Sequence, residues 1–460
     1  MTGDRPPNIL FLMSDEHRAD VAGFAGDAIV RTPTLDMLAQ TGIVFRNAYT
    51  PSPICVPGRQ AMMAGQLPRT CGCRTFADDL APGHMTFARR FAQHAYATVA
   101  CGKLHHTGTD QMQGWARRIA GDTTVAPRFI PDRDAAAFAR HAQPLAAVKW
   151  SDAKEVQRAC IGQGPHVLAD ALTVQGACQF IEEQFASPVY DRAHLQQPLL
   201  LKVSLVQPHY PYTAEAGKFA YYLNRVRPFL DQPVSSHPFL SQRQVRPGED
   251  ATEREIRRAT AAYYAMIEAM DDAFATVLDA LAQMGQNLDD WIVVYTSDHG
   301  EMLGEHGVWE KQKFYEASVR VPLIARWPAA FAGGRTRQEN VNLCDLFATL
   351  CDLAGLPIPP GLDSRSLAPL LHGAENPAWD DESVSQFGSH NLMIKRGYLK
   401  YQYYGEESPE LLFDLHADPG ETTNFLAAPA YADDLARFRA RRAALGYGPD
   451  APTEYVNAGY

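Results

Sequence analysis

Four continuous apolar runs constrain this chain most, because each stops at residues of catalytic type. "NILFLMSDE" ends in Asp15 and Glu16, and "YATVACGKLHH" in Lys103, His105 and His106; "LLLKVSLVQPHYPY" contains His209, and "WIVVYTSDHGE" Asp298 and His299. A strand buried on one face alternates apolar and polar residues, whereas an unbroken run needs apolar neighbours on both faces, as in a parallel sheet. Helical patterns separate the runs, among them "TPTLDMLAQTG", "MTFARRFAQHA", "VQGACQFIEEQFA" and "ATAAYYAMIEAMDDAFATVLDALAQMG". The expected fold is α/β, a large, mostly parallel central sheet flanked by helices. Open parallel sheets bind ligands beyond the carboxyl ends of their strands, so these polar residues are expected to converge on one site.

From about Ala374 the sequence changes to short aromatic segments, "NLMIKRGYLKYQYYG" and "ELLFDLHADPGE", followed by the helical "AYADDLARFRARRAALG". The expected organisation is a catalytic α/β domain over residues 1–373 and a small C-terminal subdomain, an antiparallel sheet plus helix and tail, over 374–460. Two irregular stretches, His106 to His166 and Arg225 to Asp250, follow strand ends and are expected to wall the pocket. Trp115, Arg117 and Arg118 on the first are candidate contacts to a sugar or an anionic group, although incidental exposed charge is the commoner reason for such residues.

A formal net charge of −11 argues against non-specific nucleic-acid binding, so an anionic ligand must meet a local cationic pocket. The apolar run Ile9 to Met13 is too short for a signal or a membrane span, and the chain reads as cytoplasmic with no membrane partner. Eight cysteines without a C-x-x-C pair suggest neither a disulfide framework nor structural zinc. Cys71 and Cys73 read as reduced thiols near a turn, and Cys344 and Cys351 as core residues on one helix face.

Asp15, Glu16, Asp298 and His299 form an oxygen-rich set suited to Ca²⁺, Mg²⁺ or Mn²⁺. Lys103, His105, His209 and Lys311 form a cationic group able to bind an oxyanion and to protonate a leaving group. Lys313, beside Lys311 in "WEKQKFYE", reads as a solvated surface lysine, and His106 as a structural neighbour of His105. In "SPICVPGRQAMMAG" Pro57 suits a first helical turn and Gly65 a stop, which puts Cys55 at the helix N-terminus with Arg59 one turn on. A thiolate would be activated there. A soft sulfur beside an oxygen-preferring metal is nevertheless a poor match, which points to oxygen as the working atom at position 55.

"CVPGR" resembles the C-x-P-x-R signature of the type I sulfatases of the alkaline phosphatase superfamily. "NILFLMSDEHRAD", "GKLHH", "HYPY", "SDHGEMLGEHGVWEKQKFYEASVRVPL" and "LLFDLHADPGETTN" resemble the family's other blocks in order. The resemblance implies an alkaline-phosphatase-like fold and a sulfuric ester hydrolase. It implies that a separate formylglycine-generating enzyme oxidises Cys55 to formylglycine, and that one divalent metal, calcium ahead of manganese or magnesium, is held by Asp15, Glu16, Cys55, Asp298 and His299. A hydroxyl of the hydrated aldehyde would attack sulfur; Arg59 and Lys103 would hold the nucleophile and the sulfuryl oxygens; His209, assisted by Lys311, would protonate the departing alcohol; and His105 would help expel sulfate. The signature's fourth position is usually Ser or Ala and here is Gly58, and many members carry Asp where this chain has Glu16. The nearest alternative is a phosphonate monoester hydrolase or phosphodiesterase of the same superfamily, and a further one an inactive anion-binding protein whose Cys55 stays a thiol. The tail "YGPDAPTEYVNAGY" suggests a homo-oligomer clasped by its aromatic residues.

Overall fold

The structure, a computed structural model, describes residues 6–121, 152–186, 197–233, 235–373 and 379–448. Its strands are β1 (Ile9–Asp15), β2 (Ile43–Tyr49), β3 (Ala97–Gly102), β4 (Arg117–Ile119), β5 (Cys160–Ile161), β6 (Leu199–Pro208), β7 (Thr213–Ala214), β8 (Ile292–Ser297), β9 (Leu323–Arg326), β10 (Arg335–Asn342), β11 (Glu382–Phe387), β12 (Asn391–Arg396), β13 (Leu399–Tyr404) and β14 (Leu411–Asp414). An eight-stranded sheet runs β10-β2-β9-β8-β1-β6-β3-β4. β9 alone is antiparallel to its neighbours, and the other pairs are parallel.

Successive residues of β1 serve opposite faces of this sheet. Leu10 and Leu12 join the helix Glu253–Gln283 on one side, while Ile9, Phe11 and Met13 pack with Phe87, Phe347 and Leu350 on the other. That double burial is what the unbroken apolar runs required. The long helix is fixed at its start by a capping box, Thr252 accepting from the Glu255 amide and the Glu255 carboxylate from the Thr252 amide, which stabilises such a terminus by about 1 kcal/mol. No helix among the described residues is long and apolar enough to cross a membrane.

β11 to β14 form a second, antiparallel four-stranded sheet, backed by the helix Ala432–Ala444. Its core is shared with the first. Leu392, Ile394, Tyr401 and Leu412 pack with Ala61, Ala64 and Leu67, while Met393, Tyr404 and Phe413 pack with Tyr49, Ile54 and Phe314. Cys344 precedes the helix Asp345–Leu353 instead of lying on its face, and it belongs to a different apolar cluster from Cys351. Cys71 and Cys73 are free, buried thiols. The centre of the first irregular stretch and the aromatic tail from residue 449 lie outside the described residues.

Candidate active site

β1, β3, β6 and β8 are mutually parallel, so Asp15, Lys103, His209 and Asp298 stand at or just beyond one edge of the sheet. β2 ends at that edge as well, and the chain turns through Thr50–Ile54 into the helix Cys55–Ala64. The Thr50 hydroxyl donates to the Ser52 carbonyl at 2.7 Å, and the Gln386 amide of β11 donates to the Pro51 carbonyl at 2.8 Å. Ile54 is extended, the helix starts at Cys55, and Gly65 ends it at φ 62°. Gly58 lies flat against the turn and the end of β8. A Cβ there would stand 2.8 Å from the Ser52 carbonyl oxygen and 3.3 Å from that of Asp298, which leaves little room for the usual Ser or Ala.

Arg59 is the hub. Fully buried, it donates from Nε to Asp298 Oδ2 at 2.7 Å, from Nη2 to Asp15 Oδ2 at 2.8 Å, and from Nη1 to the Lys103 carbonyl at 2.8 Å and Ser204 Oγ at 2.9 Å. The planar guanidinium fork thereby fixes both carboxylates. Lys103 Nζ adds a contact to Asp15 Oδ2 at 2.6 Å. Burial by itself would raise the Asp15 carboxyl, but Lys103 and Arg59 outweigh it and hold the group well below the usual carboxylate range.

The opposite oxygens face Cys55 and His299. Asp15 Oδ1 lies 3.7 Å from Cys55 Sγ, and His299 Nε2 lies 3.1 Å from that sulfur and 3.7 Å from Asp298 Oδ1. The Nδ1–H of His299 donates to the Gly300 carbonyl at 3.0 Å, which leaves a lone pair on Nε2. Four ligand atoms, one each from Asp15, Cys55, Asp298 and His299, all lie within 4.8 Å of one another, and all four residues are buried. Carboxylates fixed from behind, with an imidazole nitrogen turned toward them, fit a divalent cation. Glu16 falls in a second group, with Asp15 and His209; its Oε1 is buried and has no hydrogen-bond partner.

Lys311 joins that second group. Its Nζ is 2.9 Å from Glu16 Oε2 and 2.8 Å from His209 Nε2. His209 Nδ1–H donates to the Tyr210 carbonyl at 2.6 Å, so Nε2 accepts from the Lys311 ammonium. Burial, Lys311 and Lys103 push His209 well below the usual imidazole range, and burial, Lys103 and Arg59 do the same to His105. The His105 carbonyl accepts from Gln60 Nε2 at 2.9 Å, and Phe76 meets its ring edge-on at 5.5 Å. Three cations, Arg59, Lys103 and Lys311, thus face three carboxylates, Asp15, Glu16 and Asp298, in contacts of 2.6–2.9 Å. A bound divalent cation would make the site positive, as an anionic ligand of an acidic chain requires.

Three expectations are corrected. The Cys55 thiol is not activated by its helix terminus: burial and Asp15 push it up to about 12, against the smaller pull of Lys311 and Lys103. Trp115 is a core residue packed edge-on against Phe87, whereas Arg117 and Arg118 follow the commoner reading of incidental charge, Arg117 pairing with Glu183 at the surface and Arg118 donating to the Gln111 carbonyl. Lys313 is 2% exposed; its Nζ donates to the Phe239 carbonyl at 2.6 Å and lies 4.1 Å from the centre of that ring. His106, as read from sequence, is tied locally, to the Gln111 carbonyl at 3.0 Å. Ser204, which accepts from Arg59, and Gln60, which donates to the His105 carbonyl, belong to no motif. Glu301 was legible only as the last letter of "SDHGE"; its carboxylate accepts from the Leu303 and Glu310 amides at 2.7 and 2.6 Å and so closes the loop that presents Lys311.

Burial lowers Lys313 to about 7, so between roughly that pH and the ordinary lysine range the unfolded chain binds the extra proton and native stability rises with pH. The Lys313→Met variant removes this dependence. Its Tm relative to the parent protein is expected to be higher near neutral pH than near pH 10. A difference that does not change with pH in thermal melts would contradict the assignment.

The model of the sulfatase family matches residues 7–356, and that of the N-sulphoglucosamine sulphohydrolase C-terminal region matches residues 304–445. The chain belongs to the sulfatase family. A choline-sulfatase of Rhizobium meliloti (strain 1021) is 31% identical to this sulfatase over 95% of the present chain and 86% of its own. An arylsulfatase of Clostridium perfringens is 26% identical over 93% and 92% of the two chains. Among solved structures, the phosphonate monoester hydrolase of Agrobacterium radiobacter superposes with a TM-score of 0.76 at 22% identity over 95% of each chain. A complex with D-glucosamine-2-N,6-O-disulfate superposes with a TM-score of 0.75 at 19% identity over 96% and 97%. At such identities these two likenesses concern the fold alone.

Proposed function

We propose that the sulfatase hydrolyses a small sulfate monoester through a formylglycine hydrate made from Cys55. The observation that carries this reading is the surroundings of Cys55 Sγ: 3.1 Å from His299 Nε2 and 3.7 Å from Asp15 Oδ1, in a site where a thiol stays protonated. Sulfur is thus poorly suited both as nucleophile and as ligand to a hard cation, and a hydroxyl at the same place suits both roles. Asp15, Asp298, His299 and the modified Cys55 would hold the metal, calcium ahead of manganese or magnesium, with Glu16 Oε1 as a further ligand. Bound there, the metal supplies Lewis acidity and lowers the pKa of the attacking hydroxyl.

The chain's own groups supply the rest. Arg59 fixes both carboxylates, and Lys103, adjoining Asp15, binds the sulfuryl oxygens and stabilises charge that develops on them. The ammonium of Lys311, donating to His209 Nε2, stores the proton for the departing alcohol oxygen. His105, held neutral, removes the proton from the second hydroxyl of the hydrate, so that sulfate leaves and the aldehyde returns.

Two measurements test the reading. A mass spectrum of the Cys55 peptide, from protein produced with a formylglycine-generating enzyme, is expected to show an aldehyde in place of the CH₂SH group. Parallel assays on choline sulfate, 4-nitrophenyl sulfate and a phenyl phosphonate monoester are expected to give the higher kcat/KM on a sulfate. A wholly unmodified thiol would support an anion-binding role instead, and a preference for the phosphonate would reassign the substrate class.

A further inference from the structure

We infer that His166 is a positioning residue for the leaving-group proton donor, because it shares one backbone carbonyl, that of Tyr210, with His209. The inference rests on the proposed role of His209 and Lys311. Nε2 of His166 lies 2.8 Å from the Tyr210 oxygen and Nδ1 of His209 lies 2.6 Å from it, with the two rings edge-to-face at 5.6 Å and 89°. A carbonyl oxygen only accepts, so each of these ring nitrogens carries its hydrogen, and both lone pairs of the oxygen are used.

The bond from His209 to the adjacent residue does not by itself fix the imidazole, because the peptide that accepts it can turn with the ring. His166 supplies the second, external anchor. It stands in the first turn of the helix Pro165–Phe185, and that helix is tied to the same strand end from another residue. The carboxylate of Asp170, one turn on, accepts the amides of Val206 and Gln207 at 2.6 and 2.9 Å. Helix, carbonyl and imidazole therefore form one braced unit, which keeps Nε2 of His209 aimed at Lys311. Burial and Lys103 lower His166 to about 4, so it stays neutral, and its single hydrogen is committed to Tyr210. Its other nitrogen is buried and has no hydrogen-bond partner, which leaves the contact to Tyr210 as the polar bond this ring makes.

The test compares esters that differ in their need for a proton. An alkyl sulfate must expel an alkoxide, whereas 4-nitrophenyl sulfate expels a stable phenolate. His166→Ala is expected to lose ~10²-fold in kcat/KM on the alkyl ester, within the range of general-acid catalysis. On the aryl ester the loss is expected to stay near threefold, as for an interaction that this leaving group does not use. His166→Gln, which keeps a side-chain N–H at similar reach, is expected to recover most of the alkyl activity. Equal losses on the two esters, or a Gln variant as impaired on the alkyl ester as the Ala variant, would overturn the inference. Should His166→Ala melt far below the parent protein, the Gln variant and the parent carry the comparison, with a similar ratio of alkyl to aryl kcat/KM expected of both and a ratio lowered about tenfold or more in the Gln variant overturning the inference. If the parent protein turns over no sulfate ester, the functional reading fails separately. The brace is then read from the ¹⁵N imidazole spectrum: the Nδ1–H of His209 is expected to exchange with solvent faster in His166→Ala, and an unchanged rate would overturn the positioning role.

Discussion

Replacing Cys55 is expected to end turnover while leaving the fold intact. The Cys55→Ala variant keeps the helix and the Arg59 hub, because the hydrogen bonds of Sγ among the described residues go to Asp15 and His299 and not to Arg59. Its kcat should fall by ~10⁴-fold or more, as when a nucleophile acting in concert with its neighbours is removed. Cys55→Ser is the sharper experiment. It offers one hydroxyl where the proposed hydrate has two, so it can accept a sulfuryl group but has no second hydroxyl through which to release it. One equivalent of alcohol followed by arrest is the expected time course, with a sulfated Cys55→Ser peptide in the mass spectrum. Sustained turnover by either variant would remove position 55 from the chemistry.

The second large effect concerns Arg59. Arg59→Ala leaves the buried Asp298 carboxylate without its guanidinium and Asp15 with Lys103 in place of two cations, and the Lys103 carbonyl and Ser204 hydroxyl lose a donor. Breaking one side of a buried ion pair destabilises by about 3–5 kcal/mol, and here two pairs are broken at once. The urea midpoint should therefore fall steeply, and activity should be lost even where the variant remains folded. Arg59→Lys is expected to behave much like Arg59→Ala, since a single ammonium cannot serve acceptors reached from three guanidinium nitrogens. A Lys variant with native stability and activity would mean that charge alone, not the planar fork, fixes the carboxylates.

Much of the site could be read from sequence because it sits at strand ends. The apolar runs give the strands, parallel pairing puts their carboxyl ends on one edge, and so Asp15, Lys103, His209 and Asp298 meet although far apart in sequence. The Cys55 helix was legible from Pro57 and Gly65 for the same reason, that local rules decide it. What local rules do not decide was missed. Lys313 points inward as Lys311 does because Glu310 and Gln312 adopt positive φ, 65° and 72°, so the segment neither alternates nor coils regularly. The antiparallel β9 sits inside an otherwise parallel sheet, and its short apolar run carries no sign of direction. His166, Ser204 and Gln60 act through backbone carbonyls or guanidinium nitrogens, and partners of that kind leave no motif.

The shared core of the two sheets has a consequence in time. Val384, Ile394, Tyr401 and Leu412 cover the helix that begins at Cys55, and they are made hundreds of residues after it. At about 5–20 residues per second of synthesis, the cover arrives on the order of tens of seconds behind the cysteine. In the folded chain Cys55 itself is 2% exposed. Under the proposed chemistry, any enzyme that oxidises Cys55 competes with the folding that buries it.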